Sequence, residues 1–203
     1  ASHKLVTGGS GVALGLPANF GFSAQTPQPV PTSSTGRSVV LAGSCSAASR
    51  AQIAYVSEKW PVRKIDVDAI AAGGDVVADL LSWASSQDPG VPVLLFASAD
   101  PDEVAEIQSR HGVAQSGEMV ETAMAQLAVG LCAGGFNRMV IAGGETSGSV
   151  VSALKLTALK ICSEIDPGVP WTQTLTGEPM VLALKSGNFG TVDFFEKAFK
   201  VLS

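Results

Sequence analysis

Three short stretches of the chain combine glycine with hydroxyl or charged side chains as an anion-binding turn requires. They are Gly43-Ser44-Cys45-Ser46, Gly143-Gly144-Glu145-Thr146-Ser147-Gly148 and Lys185-Ser186-Gly187-Asn188-Phe189-Gly190. Each follows a short apolar run and precedes a helical stretch. Glycine lets main-chain N–H groups close on an oxyanion with no Cβ in the way, and a helix start adds unpaired donors and a partial positive charge. Phosphate is the ligand that suits this chemistry. Thr146 and Ser147 carry hydroxyls able to cap the helix, or to reach a phosphate or the water around Mg²⁺, and Glu145 has the carboxylate to hold that water shell. Lys185 is the one lysine in the three turns and is expected to meet phosphate as a point charge. The plain alternative for any single turn is an ordinary strand-to-helix connection with capping residues.

Other chemistries are less well supplied. No G-x-x-x-x-G-K-[ST] occurs, so a P-loop enzyme is unsupported. Gly9-x-Gly11-x-x-x-Gly15 has the look of a dinucleotide turn, yet Pro17 stops the helix it would open. Cys45 at a helix start suits a thiolate nucleophile, and Ser44 or Ser46 a hydroxyl one, but both need a base. The histidines are His3, near the chain start, and His111, at a helix end where histidine serves as a cap. No G-x-S-x-G surrounds the serines, and a small buried or loop thiol is the better reading of Cys45. Trp171 ends the two-proline turn Asp166-Pro167-Gly168-Val169-Pro170, placed either to stack on a base or to pack in the core. Of Phe189, Phe194 and Phe195, two follow helical spacing and read as core.

The elements that must position these turns alternate from Arg37 onward. Short apolar runs fall at Ser38–Ala42, Lys64–Val67, Pro92–Ala97, Arg138–Ala142 and Met180–Leu184. Helical stretches fall at Ala47–Lys59, Asp75–Ser86, Pro101–Arg110, Gly117–Ala133, Ser149–Ser163 and Thr191–Val201, with Gly112 as a helix stop. Continuously apolar strands between helices indicate an α/β fold: a layered, mostly parallel sheet of about five strands flanked by helices. In such a sheet all three glycine turns lie at the strands' carboxyl ends, where α/β folds bind ligands. Before Arg37, residues Lys4 to Pro17 start like a strand entering a glycine turn. Ala18 to Gly36, with Pro27, Pro29 and Pro31, reads as an extended linker. Residues 1–17 are thus the tail of a preceding domain, 18–36 a linker and 37–203 the main domain.

A net charge of −5 provides no broad basic face for nucleic acid. No apolar run approaches the roughly 20 residues needed to span a bilayer. Three widely spaced cysteines, Cys45, Cys132 and Cys162, form neither a disulfide framework nor a zinc pattern, which points to a reducing compartment such as the cytoplasm.

The segments GSCSAASRAQI, VIAGGETSGSVVSAL, EIDPGVPW and LKSGNFGTVDFF, in that order, resemble the carboxyl-terminal nucleotide-binding domain of the four-carbon acid sugar kinases. That family phosphorylates 3-oxo-tetronates, threonate, erythronate and related acids. The likeness covers nearly all of Arg37 to Ser203, and KLVTGGSGVALGLP resembles the end of the family's amino-terminal, sugar-acid-binding domain. The resemblance implies that ATP, with Mg²⁺, is contacted by a serine of the first turn (Ser46 ahead of Ser44), by the Gly143 to Ser147 loop and by Gly187. It also implies that the sugar-acid pocket and the hydroxyl-activating residue lie in the amino-terminal domain, so the chain binds ATP but lacks a complete active site. A homodimer is compatible with the sequence. The runner-up is a nucleotide- or phosphate-binding regulatory module without transferase activity, and a thiol or serine hydrolase comes third.

Overall fold

A computed structural model of the protein describes residues 5–8, 10–13, 15–23, 29–31 and 35–202. Seven strands form one sheet: β1 (Arg37–Ala42), β2 (Val62–Lys64), β3 (Val93–Phe96), β4 (Phe136–Ala142), β5 (Leu159–Asp166), β6 (Val169–Thr174) and β7 (Val181–Lys185), in the order β2-β3-β1-β4-β7-β6-β5. The first five in that order are parallel, and β6 and β5 continue the sheet antiparallel.

Side chains alternate across each strand, so the sheet faces two cores. Val39, Leu41, Val93, Leu95, Met139, Ile141 and Leu182 point to one face. There they meet α5 (Val76–Ser86), α7 (Val113–Ala133) and α8 (Gly144–Ala153). Val40, Ala42, Leu94, Val140, Val181 and Ala183 point to the other, under α3 (Ala47–Ser57) and α9 (Phe194–Lys200). Strands covered on both faces have no polar side to show, which is why they read as unbroken apolar runs. Burying each large side chain contributes about 1.5–3 kcal/mol.

The sheet has seven strands, not about five, because the stretch expected to be one helix over Ser149–Ser163 divides. Helix α8 ends at Ala153, and Lys155, at φ 54°, turns the chain in the left-handed region. Most helices that stop this way carry glycine there, so the stop gave no sequence signal. The residues beyond form β5, and a hairpin through Gly168 (φ 83°) returns as β6. The two-proline turn is therefore a hairpin tip. Trp171 lies on β6, fully buried, with Nε1 donating to Ala198 O at 3.1 Å, so it packs in the core and is closed to a ligand. Phe194 and Phe195 are core residues as expected.

Smaller shifts have local causes. β2 runs Val62–Lys64 and ends before Asp66, because Asp66 caps α4 (Val67–Ala71) by accepting from Ala69 N at 2.9 Å. α7 starts at Val113, one residue past α6 (Pro101–His111), since Gly112 (φ 85°) makes the bend alone. Ahead of Arg37 the structure shows two single-turn helices, α1 (Ser10–Ala13) and α2 (Leu16–Asn19), while Leu5–Gly8 form no strand. Pro29 O accepts from Ser163 N of β5 at 3.1 Å and Pro31 is buried, so this part of the proline stretch lies against the sheet. Lys4, Gly9 and Pro27 lie outside the described residues.

Candidate functional site

β1, β4 and β7 are neighbours in register through Ala42, Ala142 and Lys185, so the three glycine turns leave the sheet side by side at one rim. The main chain joins them. Gly43 N and Ser44 N donate to Ala142 O at 3.0 and 3.1 Å, and Gly143 N donates to Lys185 O at 2.8 Å. Side chains add to this. Ser46 Oγ accepts from Ser49 N at 3.1 Å as the cap of α3 and donates to Gly187 O at 2.7 Å. Ser98, just past β3, donates to Ser44 O.

In the third turn the carbonyl groups point inward. Lys185 Nζ donates to the carbonyls of Ser186, Gly187 and Phe189 at 3.2, 2.9 and 3.1 Å, and Ser49 Oγ to that of Gly187 at 3.0 Å. Gln52 Nε2 sits 3.0–3.1 Å from the carbonyls of Phe189, Gly190 and Thr191. The reverse amide orientation would set Oε1 against three oxygens, so this one is fixed chemically. With these carbonyls held below, the N–H groups of Gly187 and Asn188 have no partner among the described residues, which is how a turn presents donors to an anion.

Lys185 is fully buried, and burial pushes its ammonium down to about 8. Its protons are committed to the turn, so the expected direct contact with phosphate gives way to a role as the turn's internal support. Gln52 and Ser49 were not foreseen. The signal was present, however: both are polar residues on the face of α3 that carries Ile53 and Val56 to the core. Gln52→Leu is expected to cost about 1–2 kcal/mol of stability by leaving carbonyls unpaired, and to weaken nucleotide binding roughly tenfold, read by chemical denaturation and calorimetry.

The second turn has a different construction. Gly143 adopts φ 138° and ψ 136°, a conformation open to glycine alone, and a Cβ there would also stand 2.9 Å from Thr146 Oγ1. No side chain caps α8. Its first N–H groups therefore have no capping side chain to accept from them. A Cβ on Gly144 would meet nothing within 4 Å, so this position faces open space. Thr146 does not cap the helix: it is buried and donates to Glu121 Oε1 of α7 at 2.9 Å. Burial raises the Glu121 carboxyl above its ordinary range, the bonds from Thr146 and Ser149 oppose this, and the nearby Glu145 adds to the rise. Glu121 Oε2 and Ser147 Oγ are buried without a partner among the described residues.

A cleft of about 880 Å³ opens between the first two turns and the elbow where α6 meets α7. Ser44, Gly143, Gly144, Glu145 and Thr146 line it, whereas Ser46, Ser147, Lys185 and Gly187 do not. Ser46 has its proton on Gly187 O, and Ser44 occupies the cleft wall. A Cβ on Gly187 would overlap the Ser44 hydroxyl and lie 3.0 Å from Ser46 Oγ, so this glycine lets the first and third turns touch. The hydrolase reading loses its base. His111 Nε2 is 2.5 Å from Asp68 Oδ1, paired with α4, and His3 lies outside the described residues. Among the described residues there is no group of three or more His, Cys, Asp or Glu side chains arranged to hold a metal, and no helix long and apolar enough to cross a membrane.

Comparisons with known proteins agree with the motifs. The model of the nucleotide-binding C-terminal domain family matches residues 39–195. The 3-oxo-tetronate kinase of Burkholderia multivorans is 50% identical over 206 residues, which take in 100% of this chain and 48% of that enzyme. The 3-oxo-tetronate kinase of Cupriavidus necator is 47% identical over 207 residues, again with 100% and 48% covered. A crystal structure of a Haemophilus influenzae protein superposes with a TM-score of 0.84 at 37% identity, covering 100% of this chain and 49% of the other. The chain thus spans about half the length of the curated relatives it matches. These matches bear out the resemblance to the four-carbon acid sugar kinases, and the chain belongs to the nucleotide-binding C-terminal domain family.

Proposed function

We propose that this chain is the ATP-binding half of a cytoplasmic kinase that phosphorylates a hydroxyl of a four-carbon sugar acid of the 3-oxo-tetronate, threonate or erythronate type. One observation carries the reading: three glycine turns on adjacent parallel strands are bonded to each other at one rim, with unpaired N–H groups and a Cβ-free opening at Gly144. Such a cradle suits a polyphosphate. The half-length match to enzymes called 3-oxo-tetronate kinase supports the choice of phosphoryl transfer and of the acceptor class.

In this reading residues 37–203 form the nucleotide-binding domain, residues 18–36 a linker and residues 1–17 the tail of the substrate domain. Bound ATP supplies the phosphoryl group. Ser44 and the N–H groups of Gly144, Glu145, Gly187 and Asn188 hold the phosphates, while Lys185, Ser49 and Gln52 keep the third turn in its donor-presenting shape. Glu145, exposed on the cleft wall, is placed to receive a water of Mg²⁺, an ion that binds through one or two carboxylates, substrate phosphates and water. The chain's own contribution to rate is positioning and charge stabilisation. The sugar acid and the group that accepts the hydroxyl proton are assigned to the other half, so the chain alone transfers nothing.

Titration calorimetry of the chain with MgATP tests this, and micromolar binding is expected. Absence of heat and of thermal stabilisation at millimolar MgATP would refute it. Binding by the chain without turnover of any tetronate by the full-length protein would leave the regulatory module as the correct reading.

A further inference from the structure

The EIDPGVPW stretch, Glu164 to Trp171, lines no part of the cleft. It forms the tip of the β5–β6 hairpin, and that tip closes on the exit of the third glycine turn. Gly168 lies so near Phe189 that a Cβ there would stand 2.8 Å from the ring. Asp166, the last residue of β5, is 8% exposed and gives its carboxylate to the exit: Oδ2 accepts from Thr191 N at 2.8 Å and from Thr191 Oγ1 at 2.9 Å. The Thr191 hydroxyl shares its one proton with Asp193 Oδ1, 2.6 Å away, so the main-chain bond is the fixed one. The other oxygen of Asp166, Oδ1, accepts from Lys197 Nζ of α9 at 2.7 Å. Burial pushes the Asp166 carboxyl up, but the bonds from Lys197 and Thr191 outweigh it and hold the group below its ordinary range, so it is charged at neutral pH.

The N–H of Thr191 and the carbonyl of Gly190 belong to one peptide unit. In a trans peptide these two groups point in opposite directions. Gln52 Nε2 holds the carbonyl at 3.1 Å from α3, and Asp166 holds the N–H from β5, so the peptide plane is gripped on both sides. Rotation of this plane would carry the Gly190 carbonyl off Gln52 and release the turn at Gly187 and Asn188, whose N–H groups have no partner among the described residues. A bond from a backbone N–H to a carboxylate is roughly twice as strong as one to a neutral acceptor, which suits Asp166 to this grip. The ion pair alone is the smaller part of its role. Lys197 is 34% exposed, and a pair this open to water contributes little.

We propose that Asp166 is a positioning residue for the nucleotide: by fixing the Gly190–Thr191 peptide it keeps the third turn in the shape that presents the Gly187 and Asn188 N–H groups to phosphate. This rests on the nucleotide reading above. The test measures binding of MgATP and of magnesium tripolyphosphate by calorimetry at neutral pH for wild type, Asp166→Ala and Lys197→Gln. A second readout is the position of the Gly187 and Asn188 backbone amide resonances in each ligand-free chain. Both variants break the ion pair, but Lys197→Gln leaves the carboxylate on Thr191. Asp166→Ala is expected to lose about tenfold in affinity for both ligands and to displace both resonances, whereas Lys197→Gln stays within about twofold of wild type and leaves them in place. Should Asp166→Ala fail to fold, Asp166→Asn, which must turn its NH₂ group toward Thr191 or Lys197, takes its place with an expected loss of about fivefold. A purely stabilising ion pair would lower the melting temperature of both variants and leave affinity and resonances at their wild-type values. That result, or equal losses of affinity in both variants, overturns the proposal while the phosphate cradle stands. If wild type binds neither ligand, the nucleotide reading falls, and this proposal with it.

Discussion

Gly144→Val is expected to abolish measurable MgATP binding, with a loss of at least roughly a hundredfold, or about 2.7 kcal/mol, while leaving the fold intact. Gly144 is the first residue of α8 and shows no left-handed backbone, so valine is free to adopt its conformation. Its side chain meets no neighbour in the protein, but it occupies the opening into which the helix N–H groups point. Steric exclusion and loss of approach to the donors then act together on the ligand alone. The contrast with Gly187 is informative. Valine at Gly187 collides with Ser44 and Ser46, so it disturbs the packing of the first and third turns before any ligand arrives. Calorimetry for affinity and circular dichroism for the melting transition separate the two cases. Normal ATP binding by Gly144→Val would remove the second turn from the site.

Lys185 sets the second large effect, a pH dependence of stability. Its folded value near 8 lies below the ordinary 10.5, because burial disfavours the ammonium. Between pH 8 and 10.5 the unfolded chain therefore holds a proton that the folded chain has released. Unfolding takes up that proton, and stability rises with pH through this window. Below pH 8 both states are charged, and the burial penalty is constant and complete. Above 10.5 both are neutral and it vanishes. At about 1.4 kcal/mol per pH unit the span reaches up to about 3.5 kcal/mol. Lys185→Met removes this contribution, so the difference in unfolding free energy between wild type and variant should change across pH 8–10.5 and stay flat below. Denaturant titrations at several pH values measure it. The same variant releases the Ser186 carbonyl and one of the grips on Gly187 and Phe189, so its nucleotide affinity at neutral pH should fall about tenfold. A pH-independent difference would mean that Lys185 is not buried as a charge.

β1, β3, β4 and β7 were legible because both of their faces are buried, and burial on both sides writes an unbroken apolar run into the sequence, whereas the edge strand β2, with Arg63 and Lys64 exposed, shares only Lys64 with the run expected at Lys64–Val67. β5 and β6 were not. Lys160 and Glu164 give β5 the look of a surface helix, and the helix before it stops at a lysine in a conformation usually reserved for glycine. Gln52 shows the same limit at the site. A polar residue on a core-facing helical position announces a buried partner, but nothing in its local context tells that the partner is a set of carbonyls in a turn more than a hundred residues later.

The sequence by itself determined the α/β class, the three glycine turns, their common rim and, through four ordered motifs, the family. All of these follow from local residue type and spacing, since strand direction and the βα alternation fix which edge a turn leaves from. Only the tertiary structure decided which groups face the cleft. It turned Lys185 and Ser46 inward as supports, left Ser44 and Gly144 at the opening, buried Trp171, and set the elbow of α6 and α7 opposite the phosphate turns. Those outcomes depend on hydrogen-bond partners distant in the chain, and an ammonium or hydroxyl goes to whichever acceptor the completed fold brings within 3 Å, a distance that local sequence does not encode.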